Sequence, residues 1–345
     1  MYECENTVSL SSIIKELPTN SVIIVVGGEV LCARNESMFL HMQSNYIQHL
    51  IYKVFRRISS KLFTSYSKNK YGTPWEFPFI VSPKFAQKNI KVAFNTVGGD
   101  FNGLIPDELS DVTERINASC FFSVRDTRTF EYAKSVTNNV NLAPDSAYVM
   151  SDLISKADLE RKVNSKFSSR LCHDFFVFQA SPNKKGSSES SCIQSIAAIC
   201  AETNMKAVLL PIGYASGHDD LFLLKKIHKA LPLDTILLED LSLWEIMYTI
   251  MRSKIYFGTS LHGAITAMSF NIPHFGINKK VEKLNAFLHN WSVAPFNHCY
   301  SIEEIINCPS LITDKSIENL RVKTNSNISK VKLNFEALFS NITDI

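Results

Sequence analysis

The sequence has no closely spaced cysteine pair, no long apolar run and little net charge, and each absence excludes a class of protein. Its eight cysteines include no Cys-x-x-Cys pair, which argues against a zinc site or a disulfide framework. No apolar run reaches the roughly 20 residues that span a bilayer. A net charge of +3 gives no reason to expect a nucleic acid partner. With acidic residues and no leader-like run at the N-terminus, the sequence predicts a cytoplasmic protein.

The composition is that of a globular protein with more than one core. The chain has 345 residues, of which 45% are hydrophobic and 20% charged. Strand-like and helix-like segments alternate along most of it, which favours parallel α/β sheets with right-handed crossovers. We therefore predict two doubly wound Rossmann-like domains facing a cleft, over residues 1–155 and 156–300. A helical tail over 301–345 is predicted to pack back across both.

One stretch, IYFGTSLHGAITAMSFNIPHFGI, reads as strand, turn, helix, turn and strand from Ile255 to Ile277. Thr259 or Ser260 is a natural N-cap for the helix. The first helical turn, Ser260 to Gly263, then lies at the carboxyl end of a strand, where N–H groups and the helix dipole favour an anion. His262 adds a proton-transfer group to that turn. The alternative is that His262 is a buried structural histidine and the hydroxyl groups merely cap the helix.

Two further strands end in glycine pairs. Ser21 to Leu31 is rich in β-branched residues and contains Gly27 and Gly28, as expected of a buried parallel strand that a ligand or loop approaches closely. Ile90 to Val97 precedes Gly98, Gly99 and Asp100. Because ligands bind at the carboxyl edge of open α/β sheets, both turns are candidates for a binding edge.

Arg125 stands where the strand Cys120–Val124 passes into a helix. Its planar guanidinium suits a carboxylate or a phosphate. The alternative is a salt bridge to Asp126 or Asp145. Asp145 itself could orient Arg125, bind a substrate hydroxyl, or cap a turn.

Four lysines follow predicted strands at the same edge of the second domain. Lys184 and Lys185 lie in the loop after Asp174–Gln179, and Lys279 and Lys280 follow Ile277. They could bind phosphate or simply be surface residues. His218, Asp219 and Asp220 could suggest a metal site, but a helix start is the favoured interpretation because further ligands are missing.

A basic helix is predicted over 51–70, with Ile51, Val54, Phe55, Ile58 and Leu62 on one stripe. Such a helix could contact an anionic membrane surface or an acidic glycan. We favour the alternative of a core stripe with a solvated basic face. After it, an aromatic loop with Trp75, Phe77 and Phe79 between Pro74 and Pro78 could stack on a sugar or belong to the core.

Three segments together resemble the polysaccharide pyruvyl transferase family. GTSLHGAITAMSFNIPHFGI is similar to the family's S/R-L-H-G turn, SCFFSVRDTRTFEYAKS to its Val-Arg-Asp strand end, and LAPDSAYVM to its Ala-Pro-Asp turn. The resemblance implies a glycosyltransferase-B-like (GT-B-like) fold. It also implies transfer of a pyruvyl group from phosphoenolpyruvate to two hydroxyls of a sugar in a surface polysaccharide or its precursor, including a lipid-linked oligosaccharide. No metal and no redox cofactor are called for.

Their places at strand ends and the resemblance together predict roles for the residues named above. His262 and Arg125 are the predicted catalytic pair, and Arg125, Ser260, Leu261, His262, Lys184 and Lys279 are predicted to bind the donor. Gly27, Gly28, Gly98, Gly99 and Asp145 are predicted on the acceptor side. A contact between 51–70 and the inner face of the membrane is an open prediction.

Two departures from the family pattern keep alternatives open. The family's opening Gly-Asn-x-Gly-Asp loop is missing, which predicts either an abridged first domain or a misplaced start. Ser260 replaces an arginine found in many members. One alternative is a GT-B glycosyltransferase that uses a nucleotide sugar, with Glu239 and Asp240 as weak ribose-binding candidates. The other is a degenerate, non-catalytic glycan-binding member.

Overall fold

The structure, a computed structural model, describes residues 8–43, 45–71, 75–81, 89–99, 101–214 and 219–343. These residues form two compact units. The N-terminal unit holds the described residues up to 146 together with 330–343, and the C-terminal unit holds 147–214 and 219–329. The chain thus passes between the units at 146 and again at 329, whereas the sequence analysis placed its boundaries at 155 and 300.

The sheet of the N-terminal unit is parallel throughout. Its strands are β1 (Val22–Val26), β2 (Glu29–Leu31), β3 (Lys91–Gly99), β4 (Phe121–Val124) and β5 (Asn141–Leu142). They are ordered β1-β3-β4-β5, with β2 beside the end of β3 at Gly98 and Gly99. Among the strands that the structure describes in this unit, spatial order follows chain order without a reversal.

Six helices accompany this sheet in the described residues: α1 (Leu10–Ile13), α2 (Asn35–His41), α3 (Tyr46–Ile58), α4 (Ser60–Tyr71), α5 (Pro106–Asn117) and α6 (Thr127–Lys134). The single helix predicted over 51–70 is wrong. Ser59 has non-helical torsion angles, φ −145° and ψ 88°. It therefore ends α3, and α4 begins at the next residue. The predicted core stripe is also wrong, since none of its five residues is buried: Phe55 is half-buried and the other four are exposed.

Both faces of the N-terminal sheet are covered. Phe94, Phe122 and Val124 face one core, and Ala93 and Phe121 pack against Leu338 on the other side. Trp75 and Phe77 are buried in the first core, as the core interpretation of the aromatic loop predicts, while Phe79 is half-buried and Pro74 lies outside the described residues. As the edge strand, β1 leaves Ile24 and Val26 exposed, so the prediction of a fully buried strand was wrong.

The C-terminal sheet is also parallel, but its order reverses. Its strands are β6 (Phe175–Gln179), β7 (Lys206–Leu209), β8 (Thr235–Leu237), β9 (Ile255–Gly258), β10 (His274–Ile277) and β11 (Cys299–Tyr300). They lie in the order β8-β7-β6-β9-β10-β11, which is the 3-2-1-4-5-6 order of dinucleotide-binding sheets. The chain leaves β6 in one direction and returns to its other side at β9. The carboxyl ends of β6 and β9 therefore mark the switch point where ligands bind in such sheets.

The described helices of this unit are α7 (Met150–Leu153), α8 (Lys156–Lys162), α9 (Ser165–Ser169), α10 (Glu189–Thr203), α11 (Leu221–Ala230), α12 (Leu243–Arg252), α13 (Leu261–Ser269), α14 (Glu282–Trp291) and the first part of α15 (Asp314–Thr343). Short 3₁₀ turns lie at Ser146–Val149, Glu304–Asn307 and Pro309–Leu311. The final helix α15 begins in the C-terminal unit and ends in the N-terminal one. None of the described helices is apolar over enough of its length to cross a bilayer.

Aromatic rings hold the middle of the C-terminal sheet together. Phe176, Phe257 and Phe275 are fully buried on adjacent strands, with ring centroids 5.7 Å and 5.5 Å apart. Rings at such distances add to the free energy gained from their burial. The strands of this buried aromatic centre end at the candidate site.

Candidate functional site

A cavity of about 280 Å³ lies at the switch point of the C-terminal sheet. Segments that follow β6, β7 and β9 line it together with one residue of α14. The lining residues are Gln179, Ser181, Lys184, Ile212, Gly213, Asp220, Thr259, Ser260, Leu261, His262 and Lys283. Four residues predicted to bind the donor, Lys184 and Ser260 to His262, are thus brought together here.

Helix α13 begins at this cavity in the way its sequence predicts. Ser260 is the N-cap, with φ −85° and ψ 124°, and its Oγ accepts a hydrogen bond from the N–H of Gly263 at 3.2 Å. His262 lies in the first turn, and its carbonyl accepts a hydrogen bond from Thr266 Oγ1 at 2.8 Å. The positive end of the helix dipole therefore points into the cavity together with an imidazole.

Gly263 is required by its surroundings. A Cβ atom at this position would lie 2.0 Å from the hydroxyl of Tyr256, which is completely buried on β9. The hydroxyl itself has no hydrogen-bond partner among the described residues, and burial raises its pKa well above the usual value. The fourth residue of the Ser-Leu-His-Gly turn is therefore glycine because a tyrosine fills the space beneath it.

Gln179 and Asp220 hold the Ser-Leu-His-Gly turn through hydrogen bonds. The Oε1 atom of Gln179 accepts hydrogen bonds from the backbone N–H groups of Thr259 at 3.0 Å and Ser260 at 2.8 Å, and its Nε2 donates to Asp220 Oδ2 at 2.8 Å. The same carboxylate oxygen accepts from the N–H groups of Ile212 and Gly213. Burial raises the pKa of Asp220, and these donors oppose the rise. Neither was predicted as a cavity residue, although Gln179 ends the apolar strand β6 and Asp220 directly precedes the apolar start of α11.

The metal interpretation of residues 218–220 finds no support in the described part of the chain. Asp219 accepts a hydrogen bond from the N–H of Leu221, as expected at a helix start, while Asp220 braces the cavity. His218 lies outside the described residues. Nowhere in the described ranges do three or more His, Cys, Asp or Glu side chains come together as a metal would need.

The four predicted lysines have different surroundings, and Lys280 is exposed and not among the residues lining the cavity. Lys184 lines the cavity, and Asn278 holds its loop by donating from Nδ2 to the Lys184 carbonyl at 2.9 Å. Lys185 turns back to donate to the carbonyl of Pro182 at 3.1 Å. Lys279 pairs with Glu304 at 2.7 Å and is not among the residues lining the cavity. Lys283, in the first turn of α14, lines it instead; its place after β10 was the signal available in the sequence.

Arg125 is buried in the N-terminal unit and belongs to a network of charges that reaches the surface at Glu29. Its side chain is 1% exposed, and its guanidinium pairs with Asp145 at 2.9 Å and with Glu29 at 3.0 Å. Glu29 also pairs with Arg128. Asp126 instead caps α6 by accepting from the N–H of Thr129 at 2.8 Å. The pair with Asp145 is the alternative predicted from the sequence, whereas Glu29, which directly follows the Gly27-Gly28 turn, was not predicted.

Of the predicted acceptor-side glycines, Gly27 and Gly98 lie against this network. Gly27, Gly28 and Gly99 have φ values of 57°, 76° and 142°, which residues with a Cβ atom rarely adopt. A Cβ on Gly98 would lie 2.8 Å from Arg125 Nε, so the strand end packs directly on the guanidinium. Asp100 lies outside the described residues. The glycine turns, Arg125 and Asp145 thus form one cluster, and the His262 cavity forms another in the other unit.

Two parallel-sheet units, one with the strand order of dinucleotide-binding domains, define a GT-B-like fold, as predicted. Among solved structures, UDP-GlcNAc 2-epimerase from Neisseria meningitidis is similar with a TM-score of 0.53 and 13% identity, over 93% of this chain and 100% of that one. The enzyme from Methanocaldococcus jannaschii has a TM-score of 0.50 and 10% identity, over 91% and 99%. A UDP-forming trehalose-phosphate synthase from Burkholderia xenovorans has a TM-score of 0.51 and 8% identity, over 77% and 71%. At such identities the similarity shows the fold.

Residues 4–279 match the sequence profile of the family described as "Polysaccharide pyruvyl transferase". The match covers most of the chain and includes both the Arg125 network and the His262 turn. The protein therefore belongs to the polysaccharide pyruvyl transferase family, as the three motifs indicated, and membership of this family indicates a transferase. No curated protein matches the sequence.

Proposed function

We propose that the protein transfers a pyruvyl group from phosphoenolpyruvate to two hydroxyls of a sugar, forming a cyclic ketal and releasing phosphate. The observation that carries the proposal is the cavity at the switch point, where the family's Ser-Leu-His-Gly turn, Lys184 and Lys283 meet. The donor has a phosphate and a carboxylate. A helix N-terminus and lysine side chains are suitable partners for both groups.

The reaction needs proton transfers that His262 can perform. A proton adds to the methylene carbon of the donor, and a sugar hydroxyl attacks the resulting cationic carbon and loses its proton. The bond from that carbon to the phosphate oxygen then breaks, and the second hydroxyl attacks and loses its proton. Of the two protons released, one replaces the proton taken up by the methylene carbon and the other leaves with phosphate. Histidine exchanges protons near neutral pH, so we assign His262 to the donor proton or to the leaving phosphate.

The Gln179–Asp220 brace would position this turn. Because Gln179 holds the N–H groups of Thr259 and Ser260, the helix start cannot rotate without breaking two hydrogen bonds. An anion site held in place before the donor arrives gains affinity, since less motion is lost on binding. Gln179 and Asp220 are therefore proposed as positioning residues.

Arg125 as a donor clamp stays a prediction. Its ion pairs with Glu29 and Asp145 support a different proposal, in which Arg125 orders the glycine turns of the acceptor side. A sugar acceptor, free or lipid-linked, would then meet the carboxylates of Glu29 and Asp145 as hydrogen-bond acceptors. A nucleotide sugar as donor has less support, because its ribose candidate Glu239 pairs with Lys225 at 2.7 Å and does not line the cavity.

The test is incubation of the purified chain with phosphoenolpyruvate and a panel of sugars, with phosphate release and product mass as readouts. We expect phosphate release that depends on the sugar, and a product carrying one pyruvyl ketal. His262→Gln should abolish both, whereas His289→Gln, on the exposed side of α14, should leave them unchanged. The proposal would be overturned if the protein turned over UDP-GlcNAc and did not turn over phosphoenolpyruvate.

A further inference from the structure

The outward face of helix α3 and the start of α4 is aliphatic and exposed. Six side chains, here called the aliphatic stripe, are between 50% and 79% exposed: Ile47, Leu50, Ile51, Val54, Ile58 and Leu62. Each of the first five is three or four residues from at least one other, so they share one side of α3. Exposed aliphatic residues that are contiguous, unlike scattered ones, indicate an interaction surface.

The opposite side of α3 already anchors the helix to the N-terminal unit. His49 is buried, with its Nδ1 3.1 Å from the carbonyl of Leu40. Tyr52 packs on Phe39 and Phe55 on Phe63, with ring centroids 5.0 Å and 5.4 Å apart. The aliphatic stripe is therefore not needed to hold the helix on the fold.

The charges around the stripe are of one sign. Between Glu36 and Glu76 the sequence contains no Asp or Glu but six Lys and Arg residues. Four of these, Lys53, Arg56, Arg57 and Lys61, are exposed on the two helices that carry the stripe. A second copy of the chain would bring cations against cations, which opposes self-association through this face. An aliphatic stripe accompanied by cations matches an anionic lipid surface. The acyl chains would contact the aliphatic side chains, and the anionic headgroups would contact the cations.

We propose that the aliphatic stripe docks the protein on an anionic lipid bilayer. The stripe enters the boundary between headgroups and acyl chains, and Lys53, Arg56, Arg57 and Lys61 contact lipid phosphates. The proposal goes beyond the transfer reaction and does not depend on it, since it concerns α3 and α4 of the N-terminal unit alone. It reverses the interpretation favoured from sequence, because the stripe is exposed.

The experiment is co-sedimentation of the full chain with vesicles of phosphatidylcholine, with and without phosphatidylserine. We expect binding to the anionic vesicles that weakens as salt is raised. Arg56→Gln with Arg57→Gln should weaken it about fivefold for each cation removed. Ile51→Ser with Val54→Ser should weaken it about tenfold or more. All four residues are exposed, so the fold should be kept, and an unchanged circular dichroism spectrum checks this.

Matched controls remove the same groups elsewhere on the surface. Lys229→Gln with Lys315→Gln lowers the net charge equally, and Leu233→Ser with Val322→Ser removes two exposed aliphatic side chains. Both control pairs should bind vesicles like the wild type. The proposal is overturned if neither vesicle sediments the protein, or if the controls weaken binding as much as the stripe variants. It is equally overturned if only the arginine pair matters, since charge alone would then explain the binding, or if the stripe variants abolish a dimer instead.

Discussion

The two units are built from similar parallel βα segments, but the basic residues that follow their strands have different surroundings. In the N-terminal unit, Arg125 is buried and two carboxylates neutralise it. In the C-terminal unit, Lys184 lines a cavity beside a helix start. The strand order differs too, since a reversal is found in the second sheet and not among the described strands of the first. A basic residue after a strand can therefore be neutralised inside the fold or left beside a cavity, and its neighbours decide between the two.

The largest expected effect comes from removing the buried arginine. Arg125→Met leaves Asp145 and Glu29 without their shared cation, and breaking a buried ion pair costs about 3–5 kcal/mol of unfolding free energy. Urea unfolding followed by circular dichroism measures the loss. Lys184→Met should leave the unfolding midpoint nearly unchanged, because its side chain lies at a cavity.

The same variant can contradict the comparison. If Arg125→Met kept its unfolding midpoint and instead lost affinity for phosphoenolpyruvate, Arg125 would be the donor clamp that the family resemblance predicts. Arg125→Lys is the control, since it keeps the charge but loses the paired geometry.

A second test uses pH and concerns the C-terminal unit. His274 on β10 is completely buried between the carbonyl of Ile272 and the hydroxyl of Ser292, and burial lowers its pKa to about 4. The unfolded chain binds this proton near pH 6.5 and the folded chain does not, so stability should fall as the pH falls from about 6.5 to 4. The loss should approach about 3 kcal/mol at pH 4.

Urea unfolding at several pH values measures this slope. His274→Gln should flatten it, whereas His289→Gln should not, because His289 is exposed. An equal slope in both variants would mean that other groups cause the acid sensitivity.

A smaller effect is expected beneath the Ser-Leu-His-Gly turn. Gly263→Ala places a methyl group against the Tyr256 hydroxyl, and overpacking of this kind costs about 1–3 kcal/mol. Tyr256→Phe removes a buried hydroxyl that lacks a partner among the described residues, so it should stabilise the protein by about 1 kcal/mol. In the double variant, part of the Gly263→Ala loss should disappear. Strict additivity in thermal unfolding would show that the two positions do not touch.

Local patterns predicted the parts of the fold that depend on neighbouring residues. The strand, N-cap and helix from Ile255 onward follow from β-branched residues, a serine and small helix formers in succession. The parallel arrangement follows from the alternation of strands and helices. These features depend on few distant contacts, which is why the sequence reveals them.

Other features depend on residues that meet across the chain. Glu29 and Arg125 are 96 positions apart, and Gln179 and Asp220 are 41 apart, so no local pattern joins them. The periodicity of α3 predicted that its aliphatic residues share one face. It could not predict whether that face is buried against the protein or exposed to solvent. The side of α3 that packs against the N-terminal unit is instead the one that carries Tyr52 and Phe55.

The central claim is that the cavity at the switch point binds phosphoenolpyruvate, and calorimetric titration of this donor tests it most directly. Lys184→Ala and Lys185→Ala form a matched pair, since they are adjacent but only Lys184 is among the cavity-lining residues, while Lys185 donates to Pro182. We predict that Lys184→Ala weakens donor binding about tenfold and that Lys185→Ala binds like the wild type. Equal affinity in all three proteins, or no binding to any, would contradict the account.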